Sequence, residues 1–506
     1  MGAVWRKGCR AALLLIAIPP GVEMRSRTET MRRSFGFLLL LLPVILLAAC
    51  SRNHPPLPAG ATRGQRDPEF DRLAEAVVEA EFRFDPVGGT LLGFHDHDDE
   101  LPRYSVEAVK ARVAELDDFL EGVTAFSPED LSAERWADRE ILRQRLTYQL
   151  WELTERRVAE QDVIRYTYAP FLAIARMTEM AQGAQREAVF RKIVARLRQI
   201  PRLVDQGAFN LHDLTKVQIL FAVDSIDGAI TFLKQELPSI VPRKLRREFL
   251  EAVVPAISAL ERFLSFFESQ FEYGGAEREP RLGALPFQQL LARAYEIDYS
   301  IERLTEIATT EMKRLDGEIL ALSRKIDAVR DPRTILREVG LGRFTEYPNP
   351  AILAAFYRSD FEACRRFLAD LSPPQIELPP AHPIEVGVAP SVMKGMIKLG
   401  RAIQYFPPLS QETPGFVYFA RIDLTQNEER LRRAFGRHNE ERRDVFAVRS
   451  AYPGLHLQAV VQRSLASPVR RSARSEIFTF GWAGYAENLM ARAGFLSERA
   501  RLWMLF

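Results

Sequence analysis

The chain has 506 residues, of which 47% are hydrophobic and 27% charged. That balance excludes a disordered or collagen-like polypeptide and allows a large core without disulfide staples. With 69 Lys and Arg against 67 Asp and Glu the net charge is +2, so bulk electrostatics give no basis for nucleic-acid binding.

In chain order, the first feature is an export signal. Met31-Arg32-Arg33 precedes an uncharged run from Phe35 to Ala49 that ends Leu47-Ala48-Ala49-Cys50. A basic start, an apolar stretch and small residues before a Cys form a lipoprotein cleavage pattern, in which Cys50 is lipidated and becomes the new N-terminus. The run is shorter than the roughly 20 residues of a membrane-spanning helix. A second apolar run, Ala11 to Ile18, is stopped by Pro19-Pro20. Two tandem signals have no physical purpose, so translation is expected to start at Met31, with Met24 the alternative. Residues 1–49 are thus read as a signal region. Residues 50–66, rich in Arg, Pro, Gly and Ala, are read as a lipidated tether. Ser51 after the lipidated Cys is compatible with the outer membrane, the chain facing the periplasm.

From residue 67 the pattern is helical. Asp67-Pro68 pairs a capping side chain with Pro at a helix start, and Phe70, Leu73, Val77, Ala80 and Phe84 continue one face. Ser127-Pro128-Glu129-Asp130 repeats the device before a helix carrying Leu142, Leu146, Leu150 and Leu153. Residues 185–205, 213–236, 242–271 and 300–327 behave alike. In the last of these, Ile301, Leu304, Ile307, Met312, Leu315 and Ile319 keep to one stripe. Gly274-Gly275 and the Pro-rich stretch 373–390 read as loops, and Gly415 to Ala420 as the one convincing strand. The fold class is therefore mainly α. Cys364 stands beside Phe361, Phe367 and Leu368 and reads as a buried, inert thiol. His212-Asp213 reads as a helix cap, His438 as solvated, and the basic run Arg463, Arg470, Arg471 and Arg474 as a solvated loop.

Several chemistries lack their motifs. There is no Gly-x-Gly-x-x-Gly, no phosphate-binding loop, no Gly-x-Ser-x-Gly and no His-Glu-x-x-His. The stretch His95-Asp96-His97-Asp98-Asp99-Glu100 has the residue types of a metal site. In an extended chain His95 and His97 point to one side, but adjacent ligands rarely close a site alone. The plainer reading is a solvated acidic loop ahead of a helix capped by Ser105.

Two segments near the C-terminus carry a family resemblance. One is Arg449-Ser450-Ala451-Tyr452-Pro453-Gly454-Leu455-His456-Leu457-Gln458; the other is Phe478-Thr479-Phe480-Gly481-Trp482-Ala483-Gly484-Tyr485-Ala486-Glu487. Together they resemble the bacterial domain of unknown function 885 family, whose members read His-Glu-x-x-Pro-Gly-His-His-Leu-Gln and Phe-Val-Glu-Gly-Trp-Ala-x-Tyr-Ala-Glu. Asp85-Pro86, the stretch from Gly93 to Pro102, Ser105 and Asn427-Glu428-Glu429-Arg430-Leu431 are similar too.

The resemblance implies a large helical, zincin-like domain with few short strands, in which zinc-activated water attacks a peptide carbonyl. Carried over position by position, the motif's first His falls on Arg449 and its base Glu on Ser450. The paired His residues fall on Leu455 and His456, and the downstream Glu ligand on Phe480. His456 and the later Glu487 are kept. Arg449 cannot shed its proton to ligate a metal, and Leu455 and Phe480 have no lone pair. Seven residues is close to two helical turns, so Arg449 and His456 are expected on one face, and Arg449 is expected to pair with Glu487 or hold an anion.

The expectation is a lipid-anchored envelope protein of metallopeptidase-like ancestry, non-catalytic, binding an unidentified peptide or protein and the membrane through Cys50. Its domain would be residues 67–506, shortened at the C-terminus relative to the family. No cofactor is expected. One rival is an active peptidase with zinc held by a rebuilt set drawn from His456, Glu487, His95 and His97. The other is a truncated relic without function.

Overall fold

In the computed structural model, residues 64–272, 279–341, 350–371, 376–399, 402–405, 407, 413–423 and 425–506 are described. The signal region, Cys50 and most of the tether lie outside them. Among the described residues no helix is long and apolar enough to cross a membrane.

The N-terminal layer is built from α1 (Asp67–Phe84), α2 (Pro86–Leu92), α3 (Val106–Thr124) and α4 (Ala133–Thr154). Their apolar faces meet around Phe70, Leu116, Leu142 and Leu146. The expected caps are displaced. Asp67 accepts from the Ser132 amide at 2.9 Å and so ties α1 to α4. Ser132, not Ser127, caps α4. Local capping patterns place a helix start within a turn, and tertiary contacts choose the residue.

A second core is formed by α5 (Ala169–Met180), α6 (Arg186–Asn210), α7 (Lys216–Thr231) and α8 (Arg246–Glu272), with α6 packed along α8. Thr215 caps α7 with a reciprocal bond to Gln218, so the cap is three residues beyond His212.

Beyond these lie α9 (Ala284–Tyr295), α10 (Ile301–Ile326), α11 (Pro332–Leu341) and α12 (Pro350–Asp370). The α10 stripe is present but mostly uncovered: only Leu322 and Ser323 are buried, where α11 and the last helix of the chain pack on it.

Three short strands follow, β1 (Ile384–Val388), β2 (Ala402–Tyr405) and β3 (Gly415–Phe419). The buried β3 is central, parallel to β1 and antiparallel to β2. β1 lies inside the stretch read as loop; four prolines near it mask a five-residue strand.

The C-terminal part comprises α13 (Glu428–Gly436), α14 (Glu440–Ser450), α15 (Leu455–Arg463), α16 (Glu476–Arg492) and α17 (Glu498–Leu505). They share a core with α12 and the sheet. His438, expected in solvent, is buried and bonded to the Tyr357 hydroxyl at 2.8 Å. Cys364 is buried as expected, and burial pushes its thiol well up.

Beside Cys364, Asp444 faces Asp360, Glu440 and Glu441, and Arg443 opposes them. Burial, then the Asp360 charge, pushes the Asp444 carboxyl up to about 7. A carboxyl raised on folding contributes its stability below the unfolded value near 4, and that contribution is lost as pH rises through 7. Asp444→Asn should therefore match the parent in urea unfolding at pH 4. At pH 8 it should gain about 2–4 kcal/mol. An equal difference at both pH values would remove the charge argument.

Candidate functional site

The two motif segments meet at the junction of α14, α15 and α16. Asn439 caps α14, its side chain accepting from the Arg442 amide at 3.0 Å. The helix ends at Ser450, and a turn through a cis Tyr452-Pro453 bond leads into α15. Arg449 and His456 are thus on different helices, which corrects the shared face expected from their spacing.

The turn closes tightly. A Cβ on Gly454 would lie 1.9 Å from the Arg449 carbonyl oxygen, so only glycine lets the backbones approach. The Trp482 indole N–H, from α16, donates to the Pro453 carbonyl at 2.8 Å and to that of Gly454 at 3.2 Å. These contacts account for Gly454 and Trp482 in the two segments.

At the motif positions, Arg449 Nη1 donates to Glu487 Oε1 at 3.0 Å. The Glu487 side chain is largely buried, and that burial pushes its carboxyl up while the Arg449 guanidinium pulls it down. Ser450 and Leu455 are buried, whereas Phe480 is 55% exposed. His456 is fully buried, and its Nε2 donates to the His382 carbonyl at 3.1 Å. Burial, with His382 and Arg463 nearby, pulls its pKa down to about 3, so the ring is neutral.

His382 precedes β1 and accepts at Nε2 from Arg463 Nη1. Neither His382 nor a buried Arg463 was singled out as part of the site from sequence. The spacing of seven between His456 and Arg463, both on the inner face of α15, was the available signal.

The 95–100 stretch is the expected loop, with Asp96, Asp99 and Glu100 exposed, but Asp98 is buried and the backbone is held as a strap. α6 presents a polar ladder to it: Lys192 donates to the His95 carbonyl, Arg196 to that of His97, Gln199 to that of Asp99, and Arg202 to those of Leu101 and Pro102. His95 pairs with Asp98 at 3.0 Å, and His97 with Glu79 at 2.8 Å. Burial pushes the Asp98 carboxyl up, but His95, Thr90 and Arg196 outweigh it and hold the pKa low.

The four residues considered as a rebuilt ligand set are therefore engaged separately. His95 holds Asp98, His97 holds Glu79, His456 holds a carbonyl and Glu487 holds Arg449. Among the described residues no three His, Cys, Asp or Glu side chains stand together as a metal site would require. The donor chemistry at the motif positions does not fit zinc.

The basic run is also anchored. Arg463 is buried, and Arg470 donates to the buried Asp138 at 2.7 Å because the turn carrying it packs under α1 and α4.

Beside the motif helices opens a cleft of about 670 Å³, walled by α4, α9, α15 and α16. A smaller chamber of about 320 Å³ adjoins it, and Ile141, Gln144, Tyr295 and Arg474 line both. Both volumes fall near or within the usual range of ligand sites.

A family model described as bacterial protein of unknown function (DUF885) matches residues 86–506. Two solved structures described as "putative lipoprotein" share the fold. One, from Shewanella oneidensis and of unknown function, is 17% identical with a TM-score of 0.65, covering 86% of this chain and 80% of that one. The other, from Colwellia psychrerythraea, is 15% identical with a TM-score of 0.68, covering 88% and 81%. No curated protein matches the chain in sequence.

Proposed function

The chain belongs to the bacterial family of unknown function DUF885, and from that membership we propose a lipid-anchored cell-envelope protein that binds a ligand without hydrolysing it. Its ancestry on this reading is metallopeptidase-like. Residues 67–506 act as one helical domain, tethered by residues 50–66 to a lipid on Cys50 at the outer membrane and facing the periplasm. The two similar structures described as lipoproteins support the anchoring.

One observation carries the non-catalytic reading. Arg449, which stands at the position of the motif's first His, is held in an ion pair with Glu487. A fixed guanidinium neutralises the buried carboxylate, as a cation would, but offers no open coordination position and cannot activate water. Ser450 is a poor general base, and Phe480 supplies no ligand. The cleft beside the turn keeps the concave shape of a binding site.

Purified protein incubated with a mixed peptide library should give no cleavage above a buffer blank, with or without added zinc or chelator. Zinc-dependent cleavage abolished by Glu487→Gln would overturn the reading.

A further inference from the structure

We propose that the two joined chambers hold one amphiphile, an acyl chain in the larger and a neutral or zwitterionic polar head in the smaller. The proposal rests on reading the chain as a ligand-binding protein and names the ligand class.

The argument turns on hydrogen-bond capacity. The larger chamber is walled chiefly by apolar side chains, among them Ile141, Leu457, Val461, Leu465, Phe478 and Trp482. Several of its polar groups have donors committed to the protein. The Gln462 amide donates to the carbonyls of Arg470, Arg471 and Ala473 at 2.8–3.1 Å. The Gln144 amide donates to the Arg293 and Ala294 carbonyls. The Trp482 indole is spent on the turn, and the Arg470 Nε–H on Asp138.

A peptide brings one N–H and one C=O per residue, each of which must be satisfied once buried. A wall that is largely apolar and has several of its donors committed leaves much of a peptide backbone unserved, whereas an alkyl chain makes no such demand and gains from every apolar contact.

The smaller chamber has the opposite character. Arg112, Arg145, Arg165 and Arg474 line it, together with the acids Glu81, Asp85, Glu152 and Glu476. Four cations against four carboxylates give no net charge, which complements a dipolar head better than a free anion. Tyr295 stands at the junction, its hydroxyl bonded to Glu476 at 2.8 Å. Val461 and Phe478 are 46% and 61% exposed at the wall of the larger chamber, so the chain enters from solvent.

The test uses the full chain in its own membranes. A photoreactive, alkyne-tagged fatty acid and a phosphatidylcholine made from it are added, and cross-linked peptides are mapped by mass spectrometry. Labelling should concentrate on α15 and the first turns of α16. Val461→Trp, at a half-exposed site where the fold tolerates bulk, should reduce it at least about tenfold. Ala294→Trp, from the opposite wall, should do the same, while Leu285→Trp, exposed elsewhere on α9, should not. Absent cleft labelling, or labelling equal in all three variants, would overturn the proposal. So would a photoreactive peptide labelling the cleft where the fatty acid does not, and it would assign a peptide ligand. Cleft labelling in a protein that also cleaves peptides would leave the acyl site standing and remove only the non-catalytic reading.

Discussion

Gly454→Ala should destabilise the protein by more than about 4 kcal/mol, a loss that places it among the exceptional single substitutions. The added methyl would sit 1.9 Å from the Arg449 carbonyl oxygen and 2.4 Å from that of Val448. Both obstacles are backbone atoms of α14, so no side-chain rotation relieves the clash. The end of α14 and the start of α15 must separate, and the separation moves the carbonyls that receive the Trp482 indole. Urea unfolding followed by tryptophan fluorescence reads both effects, as a lower midpoint and an altered native spectrum. Gly481→Ala is the internal control. Apart from its chain neighbours and its own helix backbone, no atom lies within 4 Å of its added methyl, and Ala is favoured over Gly in a helix by up to about 1 kcal/mol. A Gly454→Ala protein as stable as the parent would refute the described turn.

Arg196→Met should cost about 3–5 kcal/mol, the usual result of breaking a buried ion pair from one side. Arg196 is fully buried, and Nη2 donates to Thr90 Oγ1 at 2.6 Å and to the Pro86 carbonyl at 3.1 Å. The same nitrogen lies 3.8 Å from the Asp98 carboxylate. Methionine fills much of the volume but leaves Asp98 buried without its guanidinium neighbour. Adding Asp98→Asn removes that charge, so the double variant should recover part of the loss, and the cycle isolates the coupling. Hydrogen exchange should rise first in residues 95–104, the strap that α6 holds. A loss below about 1 kcal/mol would show that apolar packing alone seats the strap.

The helices were legible because each carries its own period and its own start signal. The 300–327 stripe correctly predicts α10, since amphipathicity reports helix formation. It does not report what covers the helix, which depends on elements far along the chain. β1 was hidden for a related reason. Five residues paired in parallel to a strand about thirty positions later carry almost no local pattern. The Arg449–Glu487 pair was foreseeable, because the two positions belong to the paired segments that carry the family resemblance.

His95 and His97 carry the residue types of a metal site, but each is paired with a different carboxylate. Their partners Asp98 and Glu79 come from the strap itself and from α1. The polar ladder of α6 lies roughly a hundred residues away, and no local signal links it to the strap. The cleft walls are drawn from α4, α9, α15 and α16, and no linear reading brings those four together.

The central claim is that Arg449, at the position of the motif's first His, is paired with Glu487 and leaves no metal site there. Elemental mass spectrometry of purified protein, after incubation with excess zinc and extensive dialysis, tests it most directly. The account predicts zinc far below one per chain, unchanged in Glu487→Gln. About one zinc per chain in the parent, lost in Glu487→Gln or in a His456 variant, would contradict it.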